Sequence, residues 1–300
     1  MLRIAYSPIY KYTLPPGHRF PMIKYELIPE QLLHEGTINE GHFFHPEPLS
    51  DEQLLSTHTA EYLDKLKNLP LPRKEERAIG FPVRQDLIHR GRHIAQGTLQ
   101  CCYHAIESGA ALNVAGGTHH AFADHGEGFC VFNDFAIAAN LLLAEGSVKQ
   151  ILILDLDVHQ GNGTAKIFET ESRVFTMSVH GAKNYPLRKT TSDLDIGLPD
   201  GTGDKAYILT LEEHLPKLID QVQPDLIMYL AGVDVLETDK LGRLSLSKEG
   251  CMRRDEYVFR LCHRHQIPVA VSMGGGYSHR VADIVEAHAN TFKAAQEIFF

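Results

Sequence analysis

The stretch QILILDLDVHQGNG, residues 150–163, places two carboxylates and an imidazole directly after an apolar run. QILIL is typical of a parallel strand that is buried on both faces. Side chains alternate along a strand, so Asp155, Asp157 and His159 are predicted to share one face. Buried carboxylates are costly unless they are paired or bind a cation, and Asp with His favours zinc or another first-row divalent ion. A solvated strand end is the alternative that this motif leaves open.

The remaining sequence has the organisation of an α/β protein. Apolar strand candidates occur at residues 3–6, 111–115, 150–154, 173–178, 226–231 and 268–272, and helical patterns such as 94–108, 133–144 and 206–222 lie between them. No Gly/Ser-rich or Pro-rich linker interrupts the alternation. We therefore predict a single domain over residues 1–300, an open parallel sheet flanked by helices, with the active site at the carboxyl ends of the strands. Residues 70–86, rich in proline and charge, are predicted to form a long surface loop.

Composition excludes several function classes. The net charge of −9 gives no electrostatic signature for binding nucleic acid or an anionic membrane. No apolar stretch is long enough for a transmembrane helix, and the opening residues MLRIAYSP predict no signal peptide, so we expect a cytoplasmic protein. Five cysteines without a C-x-x-C spacing predict neither a disulfide framework nor a cysteine zinc site.

Asp234 directly follows the strand candidate LIMYLAGV. At the sheet edge it would complete a shell with Asp157 and His159 and leave one coordination position open for water and substrate. An open position is typical of a catalytic metal rather than a structural one. For Asp234 alone, a turn or helix-capping acid is the alternative.

Two further clusters follow other strands. The pair His119–His120 comes after ALNVAGG, and two imidazoles there are a credible acid/base pair, with Asp155 as the partner that fixes a proton. GGGY, residues 274–277, presents Tyr277, whose hydroxyl can donate to a developing oxyanion. Loop histidines and a structural glycine turn are the alternatives for each cluster taken singly. Because the chain lacks G-x-S-x-G and a serine triad of comparable strength, a metal-activated water is the predicted nucleophile.

Four segments carry a family resemblance in the same order along the chain: GGTHHAFADHGEGFCVFND, DLDVHQGNGT, AGVDVLETDKLGRLSLS and MGGGYSHR. Together they resemble the zinc-dependent histone deacetylases, which have the arginase-deacetylase fold, and the match extends over nearly the whole chain. HQGNG, DVLETDKLGRLSLS and RRDEYVFR are most similar to class IV members and their bacterial relatives. The resemblance implies one zinc ion per chain, bound by Asp157, His159 and Asp234.

The resemblance also implies roles for the other groups. His120 is the general base and acid, and His119 paired with Asp155 supports the charge. Tyr277 polarises the acyl carbonyl. The implied substrate-binding residues are Gly128, Phe129, Tyr185 and Gly275.

The resemblance also implies a structural potassium ion beside Asp155 and Ser178.

The chain differs from class I enzymes at two positions. They carry an aspartate behind a catalytic histidine where this chain has Asn162, and a second histidine where it has Gln160. Asn162 is thereby predicted to orient His120 without adding charge.

The predicted reaction is hydrolysis of an acyl group, acetyl or longer, from an amine such as lysine. The sequence leaves open protein acyl-lysine, an acetylpolyamine or another amide as the substrate, and it leaves open the oligomeric state and the physiological metal. Two other functions stay as alternatives: an arginase-like ureohydrolase with two manganese ions, and a catalytically silent protein that binds an acyl ligand.

Overall fold

The computed structural model describes residues 1–300 and contains one sheet of eight parallel strands. The strands are β1 (Arg3–Ala5), β2 (Phe43–Phe44), β3 (Ala110–Asn113), β4 (Ile151–Asp155), β5 (Val174–Gly181), β6 (Leu194–Leu198), β7 (Leu226–Leu230) and β8 (Val269–Ser272). Their order is β2-β1-β3-β8-β7-β4-β5-β6, and every neighbouring pair is parallel. The four central strands β3, β8, β7 and β4 are buried at every residue, which explains their continuous apolar sequences.

Ten α-helices flank the sheet: α1 (Lys24–His34), α2 (Asp51–Leu55), α3 (Ala60–Lys67), α4 (Arg73–Ile79), α5 (Gln85–Ser108), α6 (Asp134–Glu145), α7 (Asn162–Phe168), α8 (Asp204–Val222), α9 (Lys248–His265) and α10 (Val281–Phe299). Helix α5 packs on β1, β3 and β8 and against α6, while α10 packs against α1 and α9. One cluster of 87 buried apolar residues connects these layers. No helix is long and apolar enough to cross a lipid bilayer.

The predicted open parallel α/β sheet is confirmed, and all six strand candidates form strands with slightly shifted ends. Two edge strands were not predicted. β2 has only two residues, and β6 has the sequence LDIGL, in which an aspartate and a glycine weaken the apolar pattern. Both are outermost in the sheet, where packing constrains the sequence least.

The predicted loop over residues 70–86 is wrong in its middle, where α4 forms. Pro72 precedes the helix, Glu75 and Glu76 lie in its first turn and Arg77 in its last, and Gly80 ends it with φ of 79°. These charges complement the helix dipole, and the glycine adopts the left-handed conformation that ends many helices. The many charged residues of this segment are therefore those of a short surface helix and not of a loop.

Strand β4 ends at Asp155, so the prediction that three polar residues share one face of it is wrong. Leu156 donates its N–H to Leu230 O at 3.1 Å, and Asp157 donates its N–H to the Asp155 carboxylate at 3.1 Å. Asp155 contacts His119, whereas His159 contacts Asp157 and Asp234. The groups still converge at one edge, because the loops after the adjacent strands β3, β8, β7 and β4 meet there.

Candidate active site

Three potential metal ligands come together after the neighbouring strands β4 and β7. The Nδ1 atom of His159 lies 3.0 Å from Asp157 Oδ1 and 3.1 Å from Asp234 Oδ2. All three ligand atoms lie within 4.8 Å of one another, and all three residues are buried. No other group of three or more histidine, cysteine or acidic side chains is this close together.

In each of the two carboxylates, the oxygen that does not contact His159 accepts a hydrogen bond from a backbone N–H. Gly275 donates its N–H to Asp157 Oδ2 at 2.8 Å, and Val158 donates its N–H to Asp234 Oδ1 at 2.9 Å. A Cβ atom at position 275 would lie 1.9 Å from Asp234 Oδ2, so only glycine fits against the ligands. Two oriented carboxylates and one imidazole form a donor set that suits zinc and leaves a position open.

The electrostatics favour a positive charge at this point. Burial, and then the charge of Asp157, raise the pKa of Asp234 to about 7. Burial alone would lower the pKa of His159, but its hydrogen bonds to Asp157 and Asp234 raise it to about 10. The two buried carboxylates therefore stabilise a positive charge between them. A bound metal ion would supply that charge.

His119 and Asp155 form a buried pair beside the three ligands. His119 Nδ1 lies 2.7 Å from Asp155 Oδ2, and both side chains are only 6% exposed. Burial lowers the pKa of His119, but the charges of Asp155 and Asp157 outweigh this and raise it to about 9. The predicted partnership of His119 with Asp155 is therefore present in the structure, and the two carboxylates favour the protonated form of His119.

His120 is held by an amide that is itself held by a carboxylate. Its Nδ1 lies 2.7 Å from Asn162 Oδ1, and Asn162 Nδ2 donates to Glu127 Oε1 at 2.5 Å. Because Glu127 can only accept, the amide oxygen of Asn162 must face the imidazole and accept its Nδ1–H. The Nε2 atom of His120 then carries the lone pair that a general base needs. Burial, and then the charges of His119 and His159, lower the pKa of His120 well below its ordinary value.

Aromatic rings form the walls above these groups. The ring centroid of Phe129 lies 5.3 Å from that of Phe20 and 6.1 Å from that of Tyr277. The ring of Tyr185 stands perpendicular to His120, with 4.9 Å between centroids. The cavity between these side chains has a volume of about 490 Å³ and reaches from solvent to His159. Phe129 and Tyr185 are thus placed where a tunnel for an acyl chain would run.

Gly128 and Tyr277 are fixed by close backbone contacts. Gly128 has φ of 57°, and a Cβ atom there would lie 2.5 Å from His120 Cδ2. Tyr277 donates its N–H to Asp239 Oδ2 at 2.6 Å and is only 7% exposed. Burial, and then the charges of Asp234 and Asp157, raise the pKa of Tyr277 well above its ordinary value. Its hydroxyl therefore stays protonated and remains a hydrogen-bond donor.

Sequence reasoning missed three supporting residues. Glu127 orients Asn162, and Asp239 orients the turn of Tyr277, as described above. Lys24 is fully buried and donates from Nζ to Gly274 O at 3.0 Å, and burial lowers its pKa to about 8. Glu127 and Asp239 lie inside the segments quoted above, but nothing in a single sequence separates these two carboxylates from surface charges. Only for Lys24 was there a signal, since its neighbours in FPMIKYELI are mostly apolar.

Comparison with known proteins decides the family. Residues 18–292 match the family profile described as histone deacetylase domain. The chain belongs to this family. The histone deacetylase 2 of Arabidopsis thaliana is 31% identical over 277 residues, which cover 89% of this chain and 72% of the plant protein. An uncharacterised protein of Picosynechococcus sp. is 40% identical over 296 residues, or 99% of each chain.

The fold agrees with that of a solved histone deacetylase homologue. The crystal structure of an HDAC homolog complexed with SAHA superimposes with a TM-score of 0.85 at 24% identity, covering 99% of this chain and 84% of that one. This likeness confirms the arginase-deacetylase fold. The predicted resemblance to histone deacetylases is likewise confirmed, and it places the protein among the deacetylases, which are hydrolases.

Proposed function

We propose that this histone deacetylase family member is a zinc-dependent hydrolase that removes an acyl group from an amine such as the side chain of lysine. One observation carries the proposal. One cavity is lined by His159 of the three-ligand metal centre, by His120 with its free Nε2 lone pair and by the buried phenol of Tyr277. These are the groups that hydrolysis of an amide by activated water requires.

The donor set described above fits zinc, so Asp157, His159 and Asp234 would hold the ion. When bound, zinc supplies a Lewis acid that polarises the acyl carbonyl and lowers the pKa of water. The two backbone N–H groups on the carboxylates keep the ligands oriented before substrate arrives.

His120 would take the proton from the attacking water at Nε2 and pass it to the leaving amine nitrogen. Its lowered pKa keeps it in the neutral, base-competent form at the start of the reaction. Asn162 holds the tautomer, and Glu127 holds Asn162. Asp155 stabilises the protonated form of His119, which would add positive charge next to the developing oxyanion.

Tyr277 would donate its hydroxyl hydrogen to the acyl oxygen, which becomes an oxyanion in the transition state. Phe129 and Tyr185 would line the path of the alkyl chain, and Gly128 would let that chain pass close to His120. Gly275 would act differently from the expectation, because its N–H is donated to Asp157 rather than left for substrate. We assign it to ligand orientation.

A structural potassium ion is also part of the proposal. Asp155 and Ser178 are paired residues on the adjacent strands β4 and β5. Both side chains are buried, so the pair brings a carboxylate oxygen and a hydroxyl oxygen to one buried part of the sheet. Oxygen-rich surroundings of this kind suit a hard cation.

Turnover of acyl-lysine peptides with acyl groups of increasing length tests the function. We expect release of carboxylate and free lysine, and a loss of about 10²–10⁴ in kcat for His120→Ala. His125→Ala, which changes an exposed histidine five residues away, is the matched control and should retain full activity. Retained activity in His120→Ala would contradict the mechanism. Release of urea from a guanidino substrate, or tight binding of acyl-lysine without turnover, would instead support one of the two alternative functions.

A further inference from the structure

The rim of the active-site cavity is basic, although the protein as a whole has a net charge of −9. Four cationic side chains line the cavity, namely Arg19, Arg77, Lys183 and Arg243. All four are exposed to solvent. A local positive charge on an acidic protein is a feature of this site rather than of the whole surface.

Backbone contacts fix the segments that carry three of these residues at the mouth. Helix α4 is tied to the tunnel wall, because Gly128 donates to Ala78 O at 2.9 Å and Phe129 donates to Ile79 O at 2.7 Å. Arg77 is therefore held at the rim. On the other side, Arg243 donates its N–H to Asn184 Oδ1 at 3.2 Å, and this contact joins the segments that carry Arg243 and Lys183.

Nearby carboxylates only partly neutralise this charge. Asp200 is shared by Arg243 at 3.1 Å and Lys183 at 3.8 Å. Glu127 is turned inward and bonds to Asn162. Two carboxylates against four cations leave the rim with an excess of two positive charges.

The two cations without a carboxylate partner are associated with the wall of the tunnel. The Arg19 guanidinium stacks over the ring of Phe129, 4.8 Å from its centroid. Arg77 lies in the last turn of α4, whose next two residues accept the hydrogen bonds of the tunnel wall. Both are exposed, so their charge is available to a bound molecule that extends out of the tunnel.

We propose that the rim selects acyl-lysine within an acidic peptide segment and discriminates against polycationic acylated substrates. The inference rests on the proposed deacylase function. The cations come from separate parts of the chain around the opening, so they can reach flanking residues on both sides of the acylated side chain. A peptide with acidic neighbours gains attraction at both sides, whereas an acetylpolyamine or a lysine-rich segment meets like charge.

The test compares two peptides that carry the same acyl-lysine, one flanked by glutamates and one by lysines. At low salt we expect kcat/KM to be roughly five- to twentyfold higher for the glutamate-flanked peptide, and this preference should shrink at about 0.5 M salt because exposed charges are screened. Arg77→Glu should reduce the preference severalfold. Arg264→Glu is the matched control, since it changes the net charge equally but lies at the end of α9, before β8 and opposite the site loops.

Several results separate this inference from the proposed function. A neutral fluorogenic acyl-lysine reports deacylation alone, and peptide binding followed by fluorescence anisotropy reports the preference even without turnover. Equal affinity and turnover for both peptides, or preference for the lysine-flanked one, would overturn the inference while leaving the deacylase activity intact. So would equal effects of Arg77→Glu and Arg264→Glu. If free acyl-lysine with its own carboxylate matched the glutamate-flanked peptide, the partner would be a small anion and the peptide assignment would be wrong.

Discussion

Two clusters of charged side chains are fully buried in this protein, and they differ in how their charge is balanced. Behind the site, Arg254 and Asp255 on α9 form an ion pair at 2.8 Å with neither side chain exposed. The hydroxyls of Tyr229 and Thr291 donate hydrogen bonds to the carboxylate of Asp255, at 2.5 and 2.6 Å. One cation faces one anion, so the charge of this cluster is balanced within the chain.

The metal-ligand cluster is not balanced in this way. Asp157 and Asp234 face a single imidazole, while the nearby cation of His119 is paired with Asp155. Lys24 directs its ammonium to a backbone carbonyl. The buried charges in the two clusters therefore have different roles. The Arg254–Asp255 pair stabilises the fold, whereas the excess of carboxylate in the metal-ligand cluster indicates a cation site.

The two clusters are also connected. Arg254 donates from Nη1 to Leu156 O at 3.2 Å and to Gly232 O at 2.6 Å. These carbonyls belong to the two turns that carry the metal ligands. The Arg254–Asp255 cluster thus stabilises the backbone turns that carry the metal ligands.

The largest effect is expected from removing a ligand. Asp157→Ala should lower bound zinc from one equivalent per chain to near zero and reduce kcat/KM to background, because the open site then retains too few donors. Elemental analysis and a turnover assay measure both quantities. Asp86→Ala, at an exposed ion pair, is the control and should change neither. Full zinc content in Asp157→Ala would show that the ion binds elsewhere.

Breaking the balanced pair should show first as a loss of stability. Arg254→Met leaves Asp255 buried without its cation, and we expect the free energy of unfolding to fall by about 3–5 kcal/mol. Denaturant titration measures the loss, and Arg254→Lys, which keeps the charge, should lose less. An unchanged unfolding midpoint in Arg254→Met would refute the structural role given to this pair.

Removing only the hydroxyl of Tyr277 tests a group that the proposed mechanism places against the substrate but not among the metal ligands. Tyr277→Phe should lower kcat by about 10²–10³ with a smaller change in KM, since the donor acts mainly on the transition-state oxyanion. Zinc content should be normal. Tyr257→Phe, at a half-buried tyrosine of α9 that does not line the site, is the matched control with normal kcat. Near-normal kcat in Tyr277→Phe would remove this residue from the mechanism.

The smallest expected effect concerns the charge behind His120. Asn162→Asp alone would set a carboxylate against Glu127, 2.5 Å away, so the clean variant is Asn162→Asp combined with Glu127→Gln. A carboxylate at position 162 favours the imidazolium form and raises the pKa of His120, which is now held low by burial and by His119 and His159. The acidic limb of kcat/KM should move to higher pH by roughly one unit. A limb that stays in place or moves to lower pH would show that residue 162 does not tune the base.

The sequence predicted the unbalanced cluster better than the balanced one. Asp157, His159 and Asp234 follow apolar runs, and chemistry-bearing residues at strand ends are visible without a structure. Arg254 and Asp255 lie in KEGCMRRDEYVFRLCHRH, where charges are typical of an exposed helix face and nothing reveals that two of them point inward. Their burial depends on which face of α9 packs, and that is decided by tertiary structure.

The same limit explains the other differences. The end of β4 at Asp155 depends on a turn that strand periodicity does not predict. Glu127 became part of the site only because the loop after β3 folds back on Asn162 from α7, 35 residues away. Residues joined by strand order were predictable, whereas residues joined by loop packing were not.

The central claim is that Asp157, His159 and Asp234 hold one zinc ion on which the reaction depends. Titrating the metal-free protein with zinc, while following bound metal and kcat/KM together, tests this most directly. We expect both to rise in parallel and to level off at one equivalent per chain, with neither rising for Asp157→Ala. Full activity of the metal-free protein, or activity that rises until two equivalents are bound, would contradict the account.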